Sequence, residues 1–214
     1  MKKLFLLFSI LISYFYSNGQ TAKPYWSVGV NPLGLLEPMS LIGPSVSYRF
    51  SPKIELWSEA SYIFSNVYIF PDWKQVRGYR FILQPRFYPN RNHLFFVAAE
   101  FRLKHFIYKT YDNFINSSRT DTLTNFHYNA SQVLPGGAVL IGGTVRLDRK
   151  DRLSLEMTFG LGSKVRKVKM KNIPEGFERL YEQRKYILNI EYDRNNADLF
   201  YMPIGFRLKW KLSH

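Results

Sequence analysis

Four histidines, His93, His105, His127 and His214, are the side chains best suited to proton transfer near neutral pH, and the sequence has no cysteine. His105 and His127 fall near Ser117, Ser118 and Ser131 and near Asp112 and Asp121, which are the residue types of a base, a nucleophile and an orienting acid. Such a set would hydrolyse an ester. Segments rich in Ser and Asp assemble these triples by chance, so no catalytic residue is assigned and no enzyme is expected. No two histidines have metal-ligand spacing, no acidic run resembles a calcium loop, and the missing cysteines remove thiolate zinc and disulfides. No cofactor and no metal are expected.

The remaining chemistry is ionic. Glu55, Glu59, Arg80, Arg86, Glu100, Arg102, Lys104, Arg146, Glu156, Arg207 and Lys209, with Arg49, all sit on one parity of segments whose other parity is apolar. In one segment Ile54, Leu56, Ala60, Tyr62 and Phe64 alternate with Glu55, Glu59 and Ser61. In another Leu153, Leu155, Met157, Phe159 and Leu161 alternate with Ser154, Glu156, Thr158 and Gly160. Period-2 alternation is the mark of a strand. Eight strands are expected, at 25–31, 42–50, 54–64, 77–88, 93–108, 136–147, 152–166 and 200–212. Helical periodicity is scarce, so the fold class is all-β.

Residues 1–19 carry Lys2 and Lys3, an apolar run from Leu4 to Tyr16 and small residues at Ser17 and Gly19, the three parts of a cleaved signal peptide. The run is too short to span a bilayer as a helix, which takes about 20 residues. Its removal takes two of the 30 Lys+Arg, leaving 28 against 16 Asp+Glu. That basic balance does not point to nucleic acid, because the cations are divided among the strand interiors, the turns and the long connections.

Three features favour a membrane-crossing arrangement over a water-soluble sheet. Most segments exceed the roughly 9 to 11 residues that a tilted strand needs to cross hydrocarbon. Phe50, Phe87, Phe95 and Trp210 gather at one end of their strands and Tyr62, Phe64, Tyr79 and Phe200 at the other, all on the apolar parity, as two aromatic girdles require. Short connections (51–53, 89–92 and 148–151) alternate with long ones, notably 109–135 and 167–199. The expectation is an eight-stranded antiparallel up-and-down transmembrane β-barrel over 20–214 in the cell outer membrane. Closure also removes the open edges that lipid cannot tolerate.

The chain resembles the small outer-membrane β-barrel proteins of Bacteroidetes-type Gram-negative bacteria. The resemblance rests on the leader's Ser17-Asn18-Gly19-Gln20, on Asn31-Pro32-Leu33, on the run from Gly43 to Lys53, on Gly78-Tyr79-Arg80 and on Pro85-Arg86-Phe87-Tyr88. The last strand, with Gly205, Leu208 and Trp210, is similar to a barrel-assembly signal, although it carries Pro203 and ends in Ser213-His214. The resemblance implies insertion by the outer-membrane assembly machinery and brings no catalytic residues.

An eight-stranded barrel is just wide enough for its own side chains to fill it. The charged parity is therefore expected to form a packed, mutually satisfied lumen network; a narrow anion or solute path is the alternative. Specificity is expected in the long loops. Residues 109–135 interleave Tyr111, Phe114, Phe126 and Tyr128 with asparagines, and Asp121-Thr122-Leu123 resembles an O-glycosylation motif. In 167–199, alternating Lys167, Lys169 and Lys171 extend the strand, and Phe177, Leu180 and Tyr181 have the spacing of a short helix over 174–186. The basic group Lys164, Arg166, Lys167, Lys169 and Lys171 would meet lipopolysaccharide phosphates. The expected role is structural or surface-interacting, with outer-membrane lipid, lipopolysaccharide and an undefined extracellular ligand as partners. A lipid-modifying hydrolase at the outer rim, built on His105 or His127, is the second alternative.

Overall fold

The structure is a computed structural model describing residues 24–36, 39–64, 73–89, 94–118, 120–150, 152–179 and 196–212. The leader expected at 1–19 lies outside the described residues. The strands are β1 (Tyr25–Val30), β2 (Leu41–Ile42), β3 (Pro44–Ser51), β4 (Ile54–Ile63), β5 (Lys74–Phe87), β6 (Phe95–Asn116), β7 (Thr122–Arg146), β8 (Leu153–Lys171), β9 (Phe177–Arg179), β10 (Asn196–Tyr201) and β11 (Ile204–Lys211). A single 3-10 turn, Pro32–Leu36, follows β1.

Strands β1, β3, β4, β5, β6, β7, β8 and β11 pair in that order, and β11 returns to β1, so eight antiparallel strands form a ring. β2 prolongs β3 and β10 prolongs β11. In each case both pieces face their neighbour in one register, as Tyr201↔Gly162 and Ile204↔Phe159 demonstrate for the second. The gap in that strand falls at Met202 and Pro203, because proline has no N–H to give to the ladder.

Burial follows the alternation in the sequence, with the polar parity inside. Along β5, Arg80, Gln84 and Arg86 are buried while Tyr79, Phe81, Leu83 and Phe87 are exposed. The eight girdle aromatics are all exposed, from 41% at Phe87 to 70% at Phe200. Among the described residues no helix is long and apolar enough to cross a membrane.

Two expectations about the long connections are corrected. Residues 109–135 are not an irregular loop: β6 and β7 continue as one hairpin, paired from Phe95↔Gly143 to Ile115↔Thr122. Inward Phe106, Tyr108, Phe114, Tyr128, Ala130 and Leu134 are buried there, so the extension has its own apolar face. β8 runs on to Lys171, as its alternating lysines require. The helix expected over 174–186 is absent at Phe177–Arg179, which forms β9 and pairs with Asn116, Ile115 and Phe114. β5 accompanies β6 only as far as Lys74↔Lys109, so the β6 edge beyond has free donors and acceptors that a strand satisfies better than a helix. The rest of that helix, 180–186, lies outside the described residues.

Two apolar clusters cap the interior. At the long-strand end Met39, Leu41, Ile63, Val76, Phe106, Phe114 and Leu134 pack together, joined by Ile173 and Phe177 from the segment after β8. At the short-turn end Tyr88, Phe96, Ala98 and Leu140 pack as a smaller cap. A Cβ on Gly142 would fall within 2.3 Å of the Phe96 ring carbon Cζ, so glycine there makes room for the ring of its cross-strand neighbour.

Candidate functional site: the charged interior and the outward rim

Between the caps the strands hold a polar network from opposite sides of the ring. Glu55 on β4 accepts from Arg49 at 2.6 Å on β3, from the Tyr88 hydroxyl at 3.0 Å and from Lys209 on β11. Glu156 on β8 accepts from Arg86 at 2.8 Å and from Lys209 at 3.2 Å. Arg86 and Lys209 therefore bridge two carboxylates that would otherwise repel. The Gln84 carbonyl accepts from Arg86 at 2.9 Å, and its amide donates to Glu100 at 2.7 Å. Glu100 also takes Arg102 at 2.9 Å and the Tyr201 hydroxyl at 3.2 Å. A continuous chain of contacts thus runs from Arg49 through Glu55, Arg86, Gln84 and Glu100 to Tyr201. Glu59 forms a second group with Arg80, with Ser61 at 2.6 Å and, more distantly, with Arg207 at 4.0 Å.

Among the described residues, buried cations outnumber buried carboxylates: Arg49, Arg80, Arg86, Arg166, Arg207 and Lys209 against Glu55, Glu59, Glu100, Glu156 and Asp112. Aromatic faces take up part of that excess. The guanidinium of Arg207 lies 4.0 Å and that of Arg86 4.9 Å from the centre of the Trp57 ring, and Arg49 lies 3.9 Å from that of Tyr88. Desolvated cation–π contacts of this kind contribute about 2 kcal/mol. Each of the four glutamates is engaged by cations, so none is set up as a free base. No metal-ligating cluster occurs among the described residues.

Of the charged residues singled out in the sequence, Glu55, Glu59, Arg80, Arg86, Glu100, Glu156, Arg207 and Lys209 are buried in this interior. Arg102 and Lys104 are half-buried, and Arg146 is exposed at the short-turn end of β7. Arg166, read as part of a basic rim group, is instead buried at 1% exposure. Its even parity on β8, opposite to that of Phe159 and Leu161, points it inward. Trp57, Tyr88 and Tyr201 were not assigned to the interior by the sequence, whereas Gln84 shares the polar parity of Arg80 and Arg86. The available signal was a tryptophan among the glutamates of 54–64.

The candidate hydrolytic set is only partly assembled. His105 Nε2 and Ser131 Oγ are 3.0 Å apart on the outward face, with the Tyr79 ring beside the imidazole. Asp112 is buried on the inward parity, Asp121 is exposed at the hairpin turn with Ser117 and Ser118, and His127 pairs with the Tyr111 ring. Asp121-Thr122-Leu123 occupies the hairpin tip, with Asp121 and Thr122 exposed.

The outward face changes character along the strands. On β8 it runs Leu153, Leu155, Met157, Phe159, Leu161 and then Lys167, Lys169, Lys171; on β6 it runs from Phe95 to Leu103 and then His105, Ile107, Lys109. The inward face changes in the opposite sense, from Glu100 and Arg102 to Phe106, Tyr108 and Phe114. No family model, curated protein or solved structure matches the chain.

Proposed function

We propose that the chain is an integral outer-membrane β-barrel whose eight strands cross the hydrocarbon layer, with a filled, charged lumen and a non-enzymatic, structural or surface-interacting role. The observation that carries this reading is the double reversal of polarity. Over the short-turn half, apolar side chains face out and charges face in; over the long-strand half, the order is that of a water-soluble protein. The apolar stretch of β6 from Phe95 to Leu103 has the length a tilted strand needs to cross hydrocarbon, about 9 to 11 residues. The short turns then lie in the periplasm, and the β6–β7 hairpin with β9 stands outside the cell as the interaction surface. Insertion falls to the outer-membrane assembly machinery.

Expression with the native leader, membrane fractionation and gels of unboiled against boiled samples test this reading. Recovery in the outer membrane with a mobility shift on boiling is expected; a soluble protein without the shift would overturn it. The network and its two caps support a filled lumen over an anion path. Refolded protein in planar bilayers should accordingly give no unitary conductance steps.

The 3.0 Å contact between His105 and Ser131 favours one second reading, a lipid hydrolase at the outer rim. Covalent labelling of wild type but not of Ser131→Ala by a fluorophosphonate would support it, and an unlabelled wild type would remove it.

A further inference from the structure

At the base of the projecting hairpin, just beyond the apolar band, lies a cleft of about 320 Å³ lined by Lys74, Lys109, Tyr111, His127, Asn129 and Asn172, among others. Lys109, Tyr111, His127 and Asn129 share the odd parity that faces outward lower on β6 and β7. Lys74 joins them through a bulge. The register of β5 shifts between Lys74 and Arg77, and Gln75 takes a positive φ of 53°. Lys74 is thereby set directly opposite Lys109, although an unshifted β5 would turn it inward.

Directly opposed like charges on neighbouring strands repel, and none of the cleft's described lining residues is a carboxylate. More cations surround the pair on the same face: Arg77 on β5, and Lys169 and Lys171 on β8, opposite Ser131 and Asn129. A bound anion would relieve this repulsion. The Tyr111 and His127 rings, edge to face at 5.7 Å, offer apolar faces, and the two asparagines offer amide donors and acceptors. Phosphate with sugar is the chemistry that suits lysines, rings and amides together. Directly below the cleft, Tyr79, Phe81, Phe101 and Leu103 present the exposed apolar surface along which acyl chains would lie.

We propose that this cleft binds the phosphate-bearing sugar headgroup of a glycolipid in the outer leaflet. The proposal rests on the membrane reading above and names a partner for it. Lys74 and Lys109 hold the phosphate, Tyr111 and His127 flank the sugar, and the acyl chains descend over β5 and β6.

Native mass spectrometry of the protein in a nonionic detergent tests this, using a synthetic diphosphorylated glucosamine glycolipid, its dephosphorylated analogue, and inorganic phosphate as competitor. Wild type should retain the phosphorylated lipid, the analogue should not bind, and millimolar inorganic phosphate should not displace the lipid. The K74Q/K109Q double variant should lose about tenfold or more in affinity, since each lysine at an anionic lipid surface contributes roughly a factor of five. Lys53→Gln, at an exposed short turn, should bind as wild type does. Equal retention by wild type and the double variant, equal binding of the dephosphorylated lipid, or displacement by inorganic phosphate would each overturn the proposal. A heat-modifiable, inserted protein that retains no glycolipid overturns this inference alone; failure to insert overturns the membrane reading with it.

Discussion

The two levels of the ring distribute charged and apolar side chains in opposite senses on the same strands. Near the short turns, Glu55, Glu156, Arg86 and Lys209 are buried while Phe87, Phe95 and Trp210 are exposed. Near the hairpin, Phe106, Phe114 and Leu134 are buried while Lys109, Lys167 and Lys169 are exposed. Apart from Lys74 on β5 and the β6–β7 tip, where bulges shift the register, each strand keeps its parity along its length, so the change lies chiefly in the residues and not in the backbone. Water outside a protein favours charges on its surface, whereas hydrocarbon favours their enclosure, where pairing must offset desolvation. A single sheet carrying both patterns, one above the other, matches a boundary between two solvents.

The comparison can be broken most severely inside the lower level. Glu55→Ala removes the shared acceptor of Arg49, Arg86 and Lys209 and leaves Glu156 as the one carboxylate bonded to the last two. Breaking a buried ion pair costs about 3–5 kcal/mol. Urea unfolding in lipid vesicles, followed by tryptophan fluorescence, should register a loss of that size.

A charge on the outward face sharpens the contrast between levels. Val139→Arg, in the middle of the apolar stretch of β7, should cost about 2–4 kcal/mol in a bilayer, whereas Thr124→Arg on the exposed tip of the same strand should stay within about 0.5 kcal/mol. The same unfolding assay measures both, and equal effects would dissolve the distinction. The upper core should behave as an ordinary packed interior. Ile63→Val, at 0% exposure, is expected to cost only about 0.5–1.5 kcal/mol, read from the urea midpoint at unchanged slope.

The lower level was legible in the sequence because one parity there is apolar and the other charged, which also sorted Glu55, Arg86 and Lys209 into a common interior. The upper level was not. On β6, Tyr108, Thr110, Asp112 and Phe114 point inward while Lys109, Tyr111, Asn113 and Ile115 point outward, so both parities mix aromatic with polar residues and the period-2 signal vanishes. Backbone pairing needs no such signal, and the hairpin forms across it. Arg166 was misplaced for a related reason: its basic neighbours suggested one exposed group, while strand parity separates it from Lys167. Arg146 has the inward parity but lies at the end of β7, where the side chain escapes to solvent. The filling of the interior by Trp57 and Tyr88 follows from three-dimensional proximity: Arg207 of β11 reaches the Trp57 ring of β4 although these strands are not neighbours, a contact that forms only when the ring closes.

The most direct test of the central claim exploits the absence of cysteine, which allows a single spin label at any outward position. Labels at 97, 99, 101 and 103 and at 107, 109, 111 and 113 of β6 would be compared in bilayers by power saturation with oxygen and with a water-soluble nickel chelate. Oxygen-rich, nickel-poor environments are predicted through 103, with the preference reversing from 107 onward. Nickel access as high at 97–103 as at 107–113 would contradict the account and make the exposed apolar band something other than a lipid-facing surface.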